Sequence, residues 1–236
     1  MLKNFHCIVQ ARMDSSRLPG KVMMNLNNDK KVIDYVISQL KSSKFSNNVI
    51  IATTDRTEDD IIYEYVTKKN IPCFRGSALD VLDRYYQCAK KYDAKNIIRI
   101  TCDNPLIDPN IVDHTVSIFN EHSFDYVSNC TIRTYPYGTE TEVFTYESLK
   151  IAWQNAKLPS EREHVTPYFK NNTKIFQIHD VLNDINLSNL RWTLDSESDL
   201  KLIKTIISKI DKDIILIEDI LDLFSREPEI VKINQI

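Results

Sequence analysis

Glycine is almost missing from this chain: only Gly20, Gly76 and Gly138 occur in 236 residues, where an average protein has roughly 7%. Neither GxxxxGK[ST] nor GxGxxG is present, so the phosphate loop of P-loop proteins and the dinucleotide fingerprint are both excluded. Each remaining glycine is expected where the backbone needs a positive φ angle or a close ligand approach, although an ordinary turn is the plainer alternative. The five cysteines, Cys7, Cys73, Cys88, Cys102 and Cys130, never form a CxxC pair. They read as reduced thiols of a cytoplasmic protein, without the ligand clusters of a zinc site.

Long hydrophobic runs are absent too. Met1 to Gln10 holds one short apolar stretch, Phe5 with Cys7 to Val9, too short for a signal peptide. Nothing approaches the roughly 18 apolar residues of a membrane span. No excess of positive charge exists either: the net charge is -3 and the pI about 6.0, which argues against nucleic acid or an anionic membrane as partner. Any phosphate binding must therefore be local.

What is present is the composition of an ordinary globular protein, 42% hydrophobic and 27% charged. One domain over residues 1–236 is expected. Short β-branched runs alternate with amphipathic stretches, the pattern of βαβ units in a three-layer, Rossmann-like α/β fold with a mostly parallel sheet. Strands are expected at Phe5–Val9, Asn48–Thr53, Pro72–Phe74, Asn96–Thr101, Asp125–Ser128, Thr141–Phe144, Ile175–Ile178 and Leu190–Thr193. Helices are expected at Val32–Ser42, Glu58–Lys69, Ala78–Tyr92, Asn110–Asn120, Tyr146–Ala156, Glu161–Lys170, Glu197–Ile210 and Ile217–Ser225. A turn-rich segment at about 130–145 interrupts the alternation and is expected to be a small insertion for substrate or dimer contacts.

The segment richest in chemistry follows the first strand: Gln10-Ala11-Arg12-Met13-Asp14-Ser15-Ser16-Arg17-Leu18-Pro19-Gly20-Lys21. It gathers three cations against one acid. Ligands of open parallel sheets bind beyond the carboxyl ends of strands, so such a loop is placed to hold a polyphosphate. A solvated surface loop is the plain alternative.

This segment resembles the signature loop of the cytidylyltransferase family that includes the CMP-KDO and CMP-acylneuraminate synthetases, and in particular its spore coat polysaccharide branch. The likeness continues through Phe74-Arg75-Gly76-Ser77, Asp80 to Tyr85, Arg99 to Asp108, Tyr137 to Phe144, Ser160 to Tyr168 and Arg191-Trp192-Thr193-Leu194-Asp195. The ordered set spans most of the chain.

The resemblance implies a fold of the nucleotide-diphospho-sugar transferase type and magnesium-dependent transfer of CMP from CTP to a sugar or sugar acid, with release of pyrophosphate. It implies that Arg12 and Lys21 grip the CTP phosphates with Arg17 in support, and that Gln10, Ala11, Gly20, Arg75, Gly76 and Arg84 border the nucleotide. Asp103 and Asp195 match the family's magnesium ligands, a set that suits a cation preferring one or two carboxylates plus phosphate oxygens. Helix caps are the plain alternative for both. Glu140, Glu142, Glu163 and His164 fall near the family's acceptor sugar; proton removal by Glu142, by His164 or by a metal-bound hydroxide stays open. A homodimer is implied, with Arg133 to Phe144 as candidate contact. One departure stands out: Thr101-Cys102-Asp103-Asn104-Pro105 replaces the Gln-Gly-Asp-Glu-Pro motif of the CMP-KDO enzymes.

Two other functions compete. A nucleotide-sugar-dependent glycosyltransferase would want an Asp-x-Asp metal motif after a strand, and the one candidate, Asp211 with Asp213, comes late and after a helix. A catalytically silent nucleotide-binding assembly subunit would lack the phosphate or metal residues, yet Arg12, Lys21, Asp103 and Asp195 are all present.

Overall fold

The central strand β1 (Phe5–Gln10) is apolar on both faces because both faces are covered. The computed structural model describes residues 4–27, 30–46 and 48–235; Met1–Lys3 of the expected single domain, among others, lie outside them. On one side β1 pairs in parallel with β4 (Val49–Thr54), which pairs with β5 (Cys73–Gly76); on the other it pairs in parallel with β6 (Asn96–Thr101). With β7 (Tyr126–Ser128), β8 (Glu142–Thr145) and β9 (Ile178–Asp180) they form a seven-stranded sheet ordered β5-β4-β1-β6-β8-β7-β9. Only β8 runs antiparallel to its neighbours.

Helices cover both faces, giving the three layers expected. One face buries α1 (Val32–Lys41), α2 (Asp60–Lys68) and α4 (Pro109–Glu121) through residues such as Val36, Val66 and Phe119. The other buries α3 (Val81–Lys91) and α5 (Tyr146–Asn155) through Tyr85, Ala89 and Leu149. A third cluster centres on fully buried Trp192 and joins α8 (Glu197–Lys209) and α9 (Ile217–Arg226) to α1. Fully burying one aliphatic side chain contributes about 1.5–3 kcal/mol, so this cluster is a substantial anchor for the residues just after Trp192.

Three expectations are corrected, and one element is additional. Leu190–Thr193 is not a strand: it makes a single bridge, Tyr137 to Arg191, and Trp192 and Leu194 are apolar because they fill the third cluster. The expected helix Glu161–Lys170 is two short ones, α6 (Pro159–His164) and α7 (Pro167–Asn171). Val165 breaks it with φ 71°, and Pro167 has no N–H to continue the ladder. The strand expected at Ile175–Ile178 begins only at Ile178, where its register with Tyr126 starts. A hairpin of β2 (Asn25–Asn27) and β3 (Lys30–Lys31) was not anticipated.

The turn-rich insertion between β7 and β8 is stapled to the rest of the chain. Tyr137 donates to the Leu190 carbonyl (3.0 Å), and Trp192 donates back to Tyr137 (2.9 Å). Gly138, at φ 108°, lies so close that a Cβ there would sit 2.6 Å from the Trp192 ring. Phe144, the far end of the expected dimer contact, is fully buried in β8, which restricts any such contact to the residues before it.

Candidate active site

Strand order reverses beside β1, since the chain crosses to β4 and β5 on one side and to β6 on the other. In parallel sheets such a reversal opens a crevice at the carboxyl ends of the strands. A cleft of about 400 Å³ lies there, bordered by Gln10, Ala11 and Arg12 after β1 and by Thr101, Cys102 and Asp103 after β6.

The loop after β1 is held in shape from beneath. The Met13 N–H donates to Asp59 Oδ1 at 2.7 Å, and buried Asp59 also accepts from the amide and hydroxyl of Thr54. The Met13 carbonyl then accepts from Ser15 (3.0 Å) and Gly20 (2.8 Å). Gly20 turns the chain at φ 72°, where a Cβ would be strained. The single 3-10 turn Lys21–Met23 follows and delivers Lys21 into the cleft.

Lys21 is the hub. Its Nζ lies 2.7 Å from Asp103 Oδ2, 2.9 Å from Asp195 Oδ1 and 2.7 Å from the Leu194 carbonyl, and the residue is only 8% exposed. Asp103 sits in the tight turn after β6. Its carbonyl accepts from the Leu194 N–H at 2.8 Å, so this bond and the burial of Trp192, not a strand, position Asp195. Asp195 also meets Arg17 (2.9 Å) and Arg191 (2.6 Å). Burial opposes ionisation of Asp195, but Lys21, then Arg191 and Arg17, outweigh it and hold the carboxyl below its ordinary value. The capping role belongs to the next residue, since Ser196 accepts from the Asp199 N–H.

Two further cations face the cleft without a carboxylate. Arg12 is exposed and has no ion pair among the described residues. Arg84 is 1% exposed, donates to the Ser77 carbonyl (3.1 Å), and leaves its Nε without an acceptor. Burial lowers the affinity of that guanidinium for its proton, and the charge of Arg12 adds to the effect. Gly76 makes room for it: a Cβ there would lie 2.7 Å from the Phe74 ring and 3.2 Å from Arg84 Cγ. A buried, unpaired cation at the edge of a polar cleft is costly unless an anion joins it.

The other sequence-derived residues divide. His164 is exposed at the end of α6 and borders the cleft. Glu163 is exposed beside it and makes no side-chain hydrogen bond or ion pair among the described residues. Arg75 stands outside the cleft: it donates to the Thr54 and Arg56 carbonyls and pairs with Asp60 at 2.6 Å. Glu140 pairs with Arg133 (2.7 Å) and accepts from Asn104 (3.0 Å) and the Gly138 N–H (2.9 Å). Glu142 is 3% exposed and accepts from Arg99, Tyr126 and Thr166. Burial would raise its carboxyl, but Arg99, Lys170 and the two hydroxyls carry it down to about 2. Of the two side chains considered for proton removal, then, only His164 borders the cleft, and Glu142 is a very weak base. Asp213 is 92% exposed at its side chain and pairs with Lys30, away from the cleft.

For a divalent cation, the test is the donor set. No three His, Cys, Asp or Glu side chains cluster among the described residues, but Asp103 and Asp195 already converge on one cation, the Lys21 ammonium. Asp103 Oδ1 keeps no partner among the described residues. Two carboxylates in a cleft that also holds unpaired arginines fit magnesium, which commonly takes its remaining ligands from phosphate and water.

Comparison with known proteins identifies the family. The sequence pattern of the family described as cytidylyltransferase matches residues 6–215. The chain is 37% identical to an uncharacterized protein of Methanocaldococcus jannaschii, over 96% of this chain and 93% of that one. It is 30% identical to the spore coat polysaccharide biosynthesis protein SpsF of Bacillus subtilis, over 94% of each. A solved cytidylyltransferase of Leptospira borgpetersenii superposes with a TM-score of 0.93 at 34% identity, covering 99% of this chain and 98% of that one.

Proposed function

The chain belongs to the cytidylyltransferase family, and from that premise we propose that it transfers CMP from CTP to a sugar or sugar acid, releasing pyrophosphate, in the synthesis of a surface polysaccharide or glycan precursor. The observation that carries this reading is Lys21, held between Asp103 and Asp195 at the strand-order reversal with unpaired Arg12 and Arg84 alongside. These cations suit a triphosphate; these acids suit its counterion.

In this reading the acceptor oxygen attacks the α-phosphate in line with the departing pyrophosphate. Arg12 and Lys21 neutralise charge that grows on the phosphate oxygens, Arg17 supports them, and Arg84 gives its buried charge an anionic partner. The site is built in advance by Asp59 and Gly20, so positioning supplies much of the rate. Asp103 and Asp195 would hold magnesium, which when bound supplies further neutralisation of phosphate charge. Lys21 must then exchange carboxylate for phosphate contacts as nucleotide enters. His164 borders the acceptor side and is assigned to proton removal there.

A homodimer belongs to the proposal as well. Exposed Ile132 and Tyr137 of the insertion lie with exposed Leu182 and Ile185 in segments that hydrogen-bond to one another. Analytical ultracentrifugation separates monomer from dimer, and an Ile132→Asp/Ile185→Asp chain should sediment as monomer.

The test of activity is pyrophosphate release by the purified chain with CTP and magnesium across sugar acids, neutral sugars and sugar phosphates. Release with one acceptor class, abolished by chelation, is expected. Absence of both turnover and CTP binding would overturn the proposal.

A further inference from the structure

Three residues other than glycine take a positive φ angle among the described residues: Asn70, Asp93 and Val165. Asn70 and Asp93 follow the ends of α2 and α3, where short polar side chains tolerate that conformation. Val165 is different. It is β-branched and fully buried, at φ 71° and ψ -55°, and the Thr166 N–H donates to the His164 carbonyl at 2.8 Å. Those values describe a γ-turn of the rare, strained kind. Thr166 adds to the strain, since it lies in the helical region (φ -100°, ψ -8°) directly before Pro167, where a following proline disfavours it.

Pro167 explains why α6 ends but not why the chain inverts. An extended residue before the proline would start α7 without either penalty. Strained backbone persists only where its surroundings over-determine it, and here both flanks are tied down. On the α7 side, the Thr166 hydroxyl donates to Glu142 Oε1 at 2.7 Å, and Glu142 is itself gripped by Arg99 and Tyr126. Fully buried Phe169 stacks on Tyr126 and Phe144 with ring centres 5.3 and 5.4 Å apart. On the α6 side, Arg162 donates to Asp80 and to the Trp153 carbonyl. Between these ties stands exposed His164, which alone among residues 159–171 borders the cleft.

We propose that Val165 and Thr166 are positioning residues: the strained turn, held shut by the bond from Thr166 to Glu142, keeps the His164 imidazole in the cleft for its part in nucleotidyl transfer. This rests on the reading of the chain as a cytidylyltransferase in which proton removal is assigned to His164. Buried Glu142, too weak a base to take a proton, serves as the fixed acceptor that holds the turn. Without that bond Val165 relaxes to a negative φ and the imidazole leaves its place. A displacement of about 1 Å is enough to cost roughly 10²-fold in rate.

The experiment uses the full chain with CTP, magnesium and the acceptor on which the wild type turns over. His164→Ala should lower kcat by about 10²-fold or more. Thr166→Val should lower it by about tenfold or more, with the KM for CTP within about threefold of wild type. Thr166→Ser, which keeps the hydroxyl, should stay within about threefold of wild type in kcat. The double variant separates positioning from a merely structural role. If Thr166 acts through His164, His164→Ala/Thr166→Val is slower than His164→Ala alone by no more than about threefold, whereas independent losses multiply. Wild-type kcat in Thr166→Val, a Thr166→Ser chain as slow as Thr166→Val, multiplied losses in the double variant, or a shift confined to the KM for CTP overturns the proposal. Full activity in His164→Ala also overturns it while leaving nucleotidyl transfer standing. A wild-type chain that neither binds CTP nor releases pyrophosphate removes both. If Thr166→Val does not fold by circular dichroism, a crystal structure of the wild-type chain with CTP and magnesium decides. Val165 at positive φ with the imidazole in the cleft is expected there; Val165 at negative φ, or an imidazole turned out of the cleft, overturns the proposal.

Discussion

Lys21 Nζ lies 2.7 Å from Asp103 Oδ2 across 82 residues of sequence, and the same nitrogen bridges to Asp195 Oδ1, 174 residues away, at 2.9 Å. One cation therefore holds together the loop after β1, the turn after β6 and the segment before α8. Lys21→Met removes it and leaves two carboxylates facing each other. Stability should fall by about 2 kcal/mol, less than the roughly 3–5 of fully buried pairs, because both acids partly reach water. Turnover should fall by about 10²–10³. Thermal unfolding and pyrophosphate release measure the two losses; a variant as active as wild type contradicts the assignment.

Arg84 should behave in the opposite way toward stability. Its guanidinium is buried without a carboxylate, so Arg84→Met exchanges an unpaired charge for a side chain that suits burial. The expected result is an unchanged or raised Tm together with CTP affinity at least about tenfold weaker, as for a lost charge-assisted bond. Calorimetric titration of CTP checks the affinity. A lowered Tm with intact CTP binding would mean that Arg84 serves the fold.

Gly138 tests the staple that carries Asp195. At φ 108°, with a Cβ 2.6 Å from the Trp192 ring and 3.0 Å from backbone, Gly138→Ala meets both strain and a clash. A loss above about 2 kcal/mol is expected, or a Tm drop of about 4 °C or more for a chain of this size. Denaturant titration decides it, and a shift within error sinks the role given to this turn.

Acid stability follows from Glu142. Its folded carboxyl sits near 2, below the ordinary 4.5, so the folded state binds fewer protons than the unfolded chain between those values. The stabilisation is fully present above about pH 4.5 and is lost as the pH falls through about 2, on the order of a few kcal/mol. Urea titrations from pH 2 to 6 should show stability rising over that window, and Glu142→Gln should flatten the rise. An identical slope in the variant contradicts the assignment.

Much of this was legible in the sequence, for identifiable reasons. β1, β4 and β6 announce themselves because buried parallel strands are continuous apolar runs, and Asp103 stands at the end of such a run beside Asn104-Pro105. Leu190–Thr193 imitates a strand because Trp192 and Leu194 are buried for another purpose. Asp59 escapes a reading of the sequence because it resembles a helix-start acid, and its bond to the Met13 amide spans 46 residues. Arg99 escapes for the same reason, since its partners Gln10 and Glu142 are 89 and 43 residues away. Arg75 was legible only as a cation beside a glycine; that Asp60 and two carbonyls claim it depends on the register of β4 with β5. Residue type is local, whereas polarity and pairing are set by the fold.

In the proposed reaction CTP and magnesium meet between the loop after β1 and the acids Asp103 and Asp195. A crystal structure of the chain soaked with CTP and magnesium tests it most directly. The expected result is the triphosphate against Arg12 and Lys21, the metal on Asp103 and Asp195, and Lys21 Nζ moved from carboxylate to phosphate. Nucleotide bound elsewhere, with Lys21 still clamped between both acids, would contradict it.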